Sequence, residues 1–215
     1  MGGKVILRVT VLSETTINPI TKMGERAGIC WGADISDPEK NYKRGMDCLE
    51  SNHGRVFEFA DVVMELDGYS ARVIRELYTA MIGVSKLQAS TRYIDYSNEF
   101  DYYTPSDLEN NVTYHKTMFD IQRSYQKLID EGYKKEDLGN LLPLGLNSKM
   151  VLKIDMRAIL HLAEIRMCSR AYIEFQDLMK DMQLALSQLD GEWLEIAKLM
   201  KPKCENCTEK ENCEW

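Results

Sequence analysis

The chain has 215 residues, of which 44% are hydrophobic and 28% are charged, and its formal net charge is −7. This length and composition are ordinary for a globular protein with a hydrophobic core. The negative charge argues against general binding to nucleic acid, which needs a basic surface, although a nucleotide site needs only a few local cations. No apolar run approaches the ~20 residues that span a membrane, and the first residues resemble a strand rather than a signal peptide. We therefore expect a cytoplasmic protein that binds neither nucleic acid nor a membrane.

The elements of the N-terminal half follow from apolar periodicity and from two proline pairs. Alternating apolar residues predict a strand over residues 4–12. Asn18-Pro19 and Asp37-Pro38 each place a capping residue before a first-turn proline, and they predict helices that end near Cys30 and Ser51. The remaining predictions for this half are a strand over 56–66, a helix over 69–81 and a half-buried strand over 88–96.

The C-terminal half is predicted to be mainly helical. The predictions are a turn over 101–105, a long helix from Pro105 to Asp130 that Gly132 ends, a short helix over 134–140, a strand over 149–155 and a last helix after Gly191. The longest helical segment, 157–188, is apolar on nearly every side, which is typical of a buried helix. In a chain of this size, such a helix predicts contacts on two sides and therefore an oligomer.

Strands and helices are mixed without a βαβ repeat, which favours the α+β class. We predict one domain over residues 1–200, with a mixed central sheet and flanking long helices, and a cysteine-containing tail over 201–215. In that tail, Cys204, Cys207 and Cys213 follow the pattern C-x2-C-x5-C. Two thiolates at the first spacing can share one Zn²⁺ ion, but a closed site needs a fourth ligand and the tail has no His. The alternative is a solvated tail of reduced thiols.

Two groups of polar residues could carry chemistry. In an extended segment, Ser90 and Arg92 would face the same side, and a hydroxyl beside a guanidinium is a plausible clamp for an anion or a nucleotide. On its own, this pattern is more often a solvated strand edge. Arg157, His161 and Glu164 fall on one face of the predicted long helix, and the alternative for them is an internal ion-pair ladder.

The segment from Arg72 to Tyr93, RVIRELYTAMIGVSKLQASTRY, has the spacing of a known signature. It resembles the flavin-dependent thymidylate synthase family (the ThyX type), whose signature is Arg-His-Arg, seven residues, Ser, and then x-Arg-Tyr. Aligned on Ser90, the sequence has Ala80-Met81-Ile82 where that triplet stands. Gln88 stands where a Glu is common in the family. The agreeing positions are Ser85, Ser90, Arg92 and Tyr93.

Two further segments resemble the same family, so that the three together cover most of residues 48–180. The segment ESNHGRVFEFADVVMEL keeps His53, Phe57 and Glu58 of the family pattern, whereas Arg55 and Phe59 depart from it. In NLLPLGLNSKMVLKIDMRAILHLAEIRMCSRAYIEF, the agreeing residues are Leu142, Pro143, Arg157, Arg166 and Ala171, and the departures are Gly139 in place of Arg and Asp155 in place of Asn.

The resemblance implies a reaction and a set of binding residues. In the family, NADPH reduces FAD, methylenetetrahydrofolate supplies the one-carbon unit, dUMP becomes dTMP, and the pockets form between the subunits of a homotetramer. It implies no side chain that is certain to be catalytic. For the flavin we predict contacts from His53, Arg55, Glu58, Arg157 and His161, with Arg55 as a replacement charge. For the nucleotide we predict contacts from Gln88, Ser90, Arg92 and Arg166.

Two hypotheses for the function stay open at this point. The retained polar residues favour an active FAD-dependent enzyme that methylates dUMP or a related pyrimidine nucleotide. The replaced triplet favours a degenerate family member that binds nucleotide or serves as a structural subunit. A charge-assisted hydrogen bond contributes roughly 1.5–3 kcal/mol, so losing both arginines of the triplet would weaken flavin or substrate binding by roughly 10²–10⁴-fold.

Overall fold

A computed structural model of the protein describes residues 8–79, 84–204 and 207. In these residues the strands are β1 (Val9–Val11), β2 (Asp61–Ser70), β3 (Val84–Gln88) and β4 (Asn147–Asp155), and they form one sheet in the order β1-β2-β4-β3. The helices are α1 (Pro19–Cys30), α2 (Pro38–Glu50), α3 (Ala71–Thr79), α4 (Val112–Asp130), α5 (Lys135–Leu138), α6 (Met156–Arg166), α7 (Ile173–Ser187) and α8 (Gly191–Leu199). Short 3-10 segments occupy Val56–Phe59, Ser106–Leu108 and Gly139–Leu141. This mixture of helices with one sheet confirms the predicted α+β class.

The chain divides into two compact units, each built from separate stretches of sequence. The first unit takes the described residues of Met1–Glu65, Ala80–Lys86 and Val151–Trp215, and the second unit takes Leu66–Thr79 and Leu87–Met150. In the part of the chain that the structure describes, no helix is both long and apolar enough to cross a membrane.

The first unit buries alternate residues of its strands against helices. Val62 and Met64 of β2 are fully buried, as are Leu152 and Ile154 of β4. This alternation follows from the two-residue period of a strand. Helix α7 contributes a fully buried face of Phe175, Leu178, Met179 and Met182.

Helices α1 and α2 pack through two glycines. A Cβ on Gly24 would lie 1.8 Å from the carbonyl oxygen of Asn41, and a Cβ on Gly45 would lie 2.0 Å from the carbonyl oxygen of Ile20. Both neighbours are backbone atoms, so the two helices approach as closely as only a residue without Cβ allows. Arg44 reinforces the contact, because its Nη1 donates to the Gly24 carbonyl at 3.0 Å and to Asn41 Oδ1 at 2.7 Å.

Strand β4 passes directly into helix α6 at Asp155. The backbone N of Ala158 donates to Asp155 Oδ1 at 2.8 Å, so Asp155 caps the helix. Burial raises the pKa of Asp155; the cap bond opposes that change, and the nearby negative charges of Glu58 and Asp61 add to it. The junction therefore holds a carboxylate in surroundings that disfavour its charge.

The second unit has a smaller core around Tyr125 of α4, which is fully buried. Four further residues complete this cluster, namely Tyr96, Phe100, Leu138 and Leu146. Asn111 caps α4, because its Oδ1 accepts a hydrogen bond from the backbone N of Tyr114 at 2.9 Å. The helix therefore begins at Val112, and the prediction that it begins at Pro105 is wrong.

The predicted strand over 56–66 is wrong in its first part. The backbone N of Val56 donates to the carbonyl of His53 at 3.1 Å, and residues Val56–Phe59 form a 3-10 turn instead. The strand begins at Asp61 and continues to Ser70, so that helix α3 begins only at Ala71. The side chains of Val56 and Phe57 are buried although they belong to this turn. Burial therefore outweighs the preference of these two residues for a strand.

The predicted strand over 88–96 is also wrong, because β3 ends at Gln88. The backbone N groups of Tyr93 and Ile94 both donate to the Ser90 carbonyl at 3.2 Å, and the backbone N of Arg92 lies 3.3 Å from Ser90 Oγ. A serine hydroxyl competes with sheet pairing in this way when it bonds to the backbone two residues later. Ser90 and Arg92 therefore belong to a turn and not to an extended clamp.

The predicted helix over 157–188 is interrupted. Helix α6 ends at Arg166 and α7 begins at Ile173, and between them the backbone N of Ala171 donates to the Cys168 carbonyl at 2.9 Å. The segment contains neither Gly nor Pro, so the sequence carries no signal for the break. Large apolar side chains of this segment are exposed in the single chain, namely Ile165, Ile173 and Leu184, and the oligomer inferred from the apolar helix stays a prediction. The helices predicted after Asn18 and Asp37, the strand before Asp155 and the last helix are confirmed.

We expect Gly45→Ala to destabilise the protein by about 1–3 kcal/mol, because the added methyl group meets the Ile20 carbonyl and the helices must separate. Gly191→Ala is the control, since a Cβ at Gly191 meets nothing within 4 Å, and it should change stability by less than about 0.5 kcal/mol. Urea unfolding followed by circular dichroism measures both. Equal stability of the two variants would contradict the close contact between α1 and α2.

We expect Asp155→Asn to stabilise the protein at neutral pH, because Asn caps a helix as well as Asp and carries no charge. The folded-state pKa of Asp155 is raised, so the folded protein takes up its proton first as the pH falls. The advantage of Asn should therefore be full above the raised pKa and disappear as the pH falls through it. Asp155→Ala should be about 1 kcal/mol less stable than Asp155→Asn at neutral pH, because it loses the cap bond. Thermal unfolding between acidic and neutral pH tests this; an advantage independent of pH would contradict it.

Candidate functional site

His53 lies in the turn that follows α2 in the first unit. Asn52 has a left-handed backbone with φ of 53°, and the backbone N of His53 donates to the Cys48 carbonyl at 2.9 Å, which ends the helix. The next residue, Gly54, lies against the side chain of Arg157, because a Cβ on Gly54 would be 3.4 Å from Arg157 Nε. The His53 turn therefore contacts the first turn of α6, and the His53 side chain is exposed beside it.

Arg157 forms an ion pair with Glu58, in which its Nη1 donates to Glu58 Oε1. The Arg157 side chain is 55% exposed and the Glu58 side chain is 36% exposed. Exposed ion pairs contribute only about 0–1 kcal/mol to stability, so little free energy opposes the exchange of Glu58 for another anion. A guanidinium also has five N–H donors, so Arg157 can keep this partner and still bind a ligand.

His161 lies one turn beyond Arg157 on the exposed face of α6. Its Nδ1 is 3.8 Å from Glu164 Oε2, and the Nζ of Lys203 lies 4.0 Å from the same oxygen. The backbone N of Lys203 also donates to the Glu164 carbonyl at 3.2 Å. The predicted ion-pair ladder is therefore present only in part, because Arg157 pairs with Glu58 rather than with a residue of its own helix.

Arg166 occupies the last position of α6 in a different environment. Its guanidinium carbon lies 4.7 Å from the centre of the Phe175 ring, and Phe175 is fully buried. This distance is within the range of a cation–π interaction. Arg166 is half-buried, whereas Arg157 and His161 are exposed. The aromatic contact thus orients one arginine of α6, and Glu58 orients the other.

The Ser90 turn of the second unit is attached to the segment that contains α5. Arg92 Nε lies 3.1 Å from Glu136 Oε1, and Lys135 Nζ lies 2.6 Å from Asp95 Oδ2. The bond from Lys135, together with bonds from Ser97, holds the pKa of Asp95 well below its usual range. These two ion pairs join neighbouring residues of α5 to both ends of one turn.

Two further predicted positions lie near this turn. A Cβ on Gly139 would be 3.1 Å from Thr91 Oγ1, so the position where the resembled family has an Arg is adjacent to the Ser90 turn. The Nε2 of Gln88 lies 3.4 Å from Ser148 Oγ, which is a long hydrogen bond. The backbone N of Ala89 donates to the Lys149 carbonyl at 2.8 Å and so fixes the start of the turn against β4.

The structure brings part of each predicted set together. In the first unit, His53, Glu58 and Arg157 are linked through Gly54 and the ion pair, His161 lies one turn away, and Arg55 is exposed on the His53 turn. In the second unit, Ser90 and Arg92 share a turn that Gln88 precedes. The Ala80-Met81-Ile82 segment lies outside the described residues.

The structure describes only part of the predicted metal site. The backbone N of Cys207 donates to the Cys204 carbonyl at 3.3 Å, which brings these two residues close together. Cys213 lies outside the described residues, and the zinc site stays a prediction. Within the described ranges, no group of three His, Cys, Asp or Glu side chains is arranged to hold a metal ion.

The sequence analysis assigned no role in a site to Asp155, Lys135 or Glu136. Asp155 had a local signal, since a strand pattern followed by Asp and an apolar helical pattern indicates an N-cap. The run Lys134-Lys135-Glu136-Asp137 carries both signs of charge, but its partners lie about 40 residues earlier in the chain, beyond any local pattern. The first unit exposes guanidinium and imidazole groups, and the second unit exposes the guanidinium of Arg92 and the amide of Gln88. All of these groups can donate hydrogen bonds to an anion.

The chain matches the family described as "Thymidylate synthase complementing protein" over residues 11–189. Among curated relatives, the flavin-dependent thymidylate synthase of Nitratidesulfovibrio vulgaris is 29% identical over 171 residues, which cover 73% of this chain and 69% of the relative. The flavin-dependent thymidylate synthase of Clostridium tetani is 24% identical over 234 residues, which cover 96% of this chain and 92% of the relative.

The fold is shared with solved structures as well. The flavin-dependent thymidylate synthase ThyX of Helicobacter pylori, complexed with FAD and dUMP, superposes with a TM-score of 0.73 over 90% of this chain and 99% of that chain, at 17% identity. A second structure of this Helicobacter pylori protein with FAD and dUMP gives a TM-score of 0.71 at 19% identity. The resemblance predicted from three sequence segments is thus confirmed, and the chain belongs to the thymidylate synthase complementing protein family, of the ThyX type.

Proposed function

We propose that the protein is a flavin-dependent thymidylate synthase-like enzyme that methylates dUMP or a related pyrimidine nucleotide. Methylenetetrahydrofolate would supply the one-carbon unit and NADPH would reduce the FAD. The observation that supports this most directly is the grouping of Arg157, Glu58 and the His53 turn in a chain of this family.

The side chains proposed for the flavin belong to the first unit, and their chemistry fits an anionic dinucleotide. Arg157 and Arg55 offer guanidinium donors and His53 and His161 offer imidazole nitrogens, all of them exposed, while Glu58 orients Arg157. Guanidinium groups match the phosphate geometry of such a cofactor. The flavin would supply the redox chemistry when bound, and these residues would bind it, orient it and balance its charge.

The side chains proposed for the nucleotide are those of Gln88, Ser90, Arg92 and Arg166. We assign Ser90 and Arg92 to the phosphate or the sugar and Arg166 to the base. The turn supports the first assignment, since the backbone N of Arg92 lies 3.3 Å from Ser90 Oγ and holds the two residues together. Contact with the Phe175 ring supports the second, because it orients the Arg166 guanidinium.

We further propose a cytoplasmic homotetramer in which residues 1–200 act as one domain and residues 201–215 form a tail. Large apolar side chains on the exposed face of α4 support an oligomer. Val112 is 80% exposed and Phe119, seven residues later on the same face, is 60% exposed. Zinc binding by Cys204, Cys207 and Cys213 remains part of the proposal for the tail.

A second candidate function is a degenerate family member that binds nucleotide or serves as a structural subunit. The observation that favours it is the sequence Ala80-Met81-Ile82, which offers no side-chain donor where the family has Arg-His-Arg. The two candidates differ in whether the protein binds FAD at micromolar concentration and turns over dUMP.

We expect Arg157→Ala to weaken FAD binding by about 1.5–3 kcal/mol, or roughly 10–150-fold, because a charge-assisted hydrogen bond is lost. Arg8→Ala is the control, because Arg8 is a half-buried arginine of the same unit that pairs with Asp181 at 2.8 Å. It removes the same charge and should leave FAD binding unchanged. Titration of flavin absorbance and fluorescence measures both. Equal FAD affinity in wild type and Arg157→Ala would contradict the assigned flavin site.

Restoring Arg-His-Arg at positions 80–82 should separate the two candidate functions. If the remaining pocket is intact, the triple substitution adds donors for FAD and should tighten its binding by roughly 10²–10⁴-fold, the reverse of the loss expected for two charged bonds. NADPH-dependent methylation of dUMP should rise with it. Unchanged FAD affinity in a folded triple variant, with no methylation by either protein, would support the binding or structural role instead.

A further inference from the structure

Arg92 of the second unit is held by a carboxylate. Its Nε lies 3.1 Å from Glu136 Oε1, and the two side chains are 60% and 55% exposed. The Arg92 guanidinium also lies 6.0 Å from the centre of the neighbouring Tyr93 ring. An arginine on the outside of a turn thus has a fixed direction, and the group that fixes it is an exposed glutamate.

This ion pair is not needed to hold the turn in place. Lys135 bonds to Asp95 at 2.6 Å, and the Ser90 carbonyl accepts two backbone hydrogen bonds within the turn. The turn would therefore keep its position without the Glu136 carboxylate. Two neighbouring residues of α5 therefore act differently. Lys135 holds the turn through Asp95, whereas Glu136 forms an ion pair with Arg92.

A phosphate group uses the same N–H donors of a guanidinium that a carboxylate uses. The Glu136 carboxylate lies 3.1 Å from Arg92 Nε and therefore covers one edge of the guanidinium that an anionic ligand of Arg92 would approach. Its negative charge would also lie close to the phosphate, and like charges at such distances repel. Binding of an anion at Arg92 must displace the Glu136 carboxylate or accommodate it at a cost in affinity.

We propose that Glu136 is a latch on Arg92 that lowers the affinity of the protein for a nucleotide monophosphate. This inference rests on the proposed function, because it takes Arg92 as a nucleotide ligand. The carboxylate leaves the guanidinium when the phosphate binds, and the Lys135–Asp95 pair keeps the turn in position during the exchange. Glu136 thus sets the concentration of nucleotide at which the site fills.

Calorimetric titration with dUMP at low ionic strength tests the latch. Exposed ion pairs are worth up to about 1 kcal/mol, so Glu136→Gln should bind dUMP about 2–5-fold more tightly than wild type. Asp137→Asn is the matched control, because it removes the same charge from the next residue, which is also exposed. It should change the affinity by less than about twofold, and the gain of Glu136→Gln should shrink as salt screens the charges.

A double-mutant cycle shows whether Glu136 acts through Arg92. In an Arg92→Ala background, Glu136→Gln should raise dUMP affinity by less than it does in the wild type, because only the direct repulsion between Glu136 and the phosphate is then removed. Lys135→Ala should act in the opposite direction and weaken binding, since it releases the turn from α5.

Three results would overturn the latch: equal dUMP affinity in wild type and Glu136→Gln, equal gains from Glu136→Gln and Asp137→Asn, or an undiminished gain in the Arg92→Ala background. The failure of the proposed function looks different, since dUMP would then bind to none of these folded variants. Binding to Glu136→Gln but not to wild type would support the latch in its strongest form.

Discussion

The cap at the start of α6 is the interaction on which the polar face of the first unit depends. One hydrogen bond, from the backbone N of Ala158 to Asp155, ends β4 and begins the helix. It fixes the orientation of α6 about its own axis, so that Arg157 contacts the His53 turn and His161 lies one turn later on the same exposed face. The bond is made by a carboxylate whose pKa is raised by burial. The Asp155 carboxylate therefore lowers stability at neutral pH, a cost that Asn at this position would avoid while keeping the cap.

Both units present an arginine that an exposed glutamate already orients. Glu58 pairs with Arg157 in the first unit, and Glu136 pairs with Arg92 in the second. Exposed pairs of this kind contribute little to folding, so their main physical effect is on direction and availability of the guanidinium. An anionic ligand can take the place of either carboxylate, and the affinity it reaches depends on how much each exchange costs. Each glutamate thus orients the guanidinium of its arginine and lowers the affinity of that guanidinium for another anion.

Glycines lie at several places where two segments of the chain approach each other. Gly54 lies beside the Arg157 side chain, and Gly139 lies beside Thr91 of the Ser90 turn. Between α1 and α2, Gly24 and Gly45 remove side chains that would meet a backbone carbonyl. Between these two helices the missing Cβ allows a backbone approach that a larger residue would prevent, whereas a Cβ at Gly54 would make only an ordinary contact with Arg157.

The sequence by itself determined the features that neighbouring residues control. The helices after Asn18 and Asp37, the alternating strand before Asp155, the α+β class and the family are all confirmed, because caps, periods and motif spacing are local. Only the tertiary structure decided the break after Arg166, the turn at Ser90 and the partners of the arginines. Glu58 and Arg157 are 99 residues apart in sequence, and a contact over that distance depends on how the intervening strands and helices pack. No local pattern records such a contact, which is why the sequence identified Arg157, Arg92 and Glu58 but neither the pairing of Glu58 with Arg157 nor the part played by Glu136.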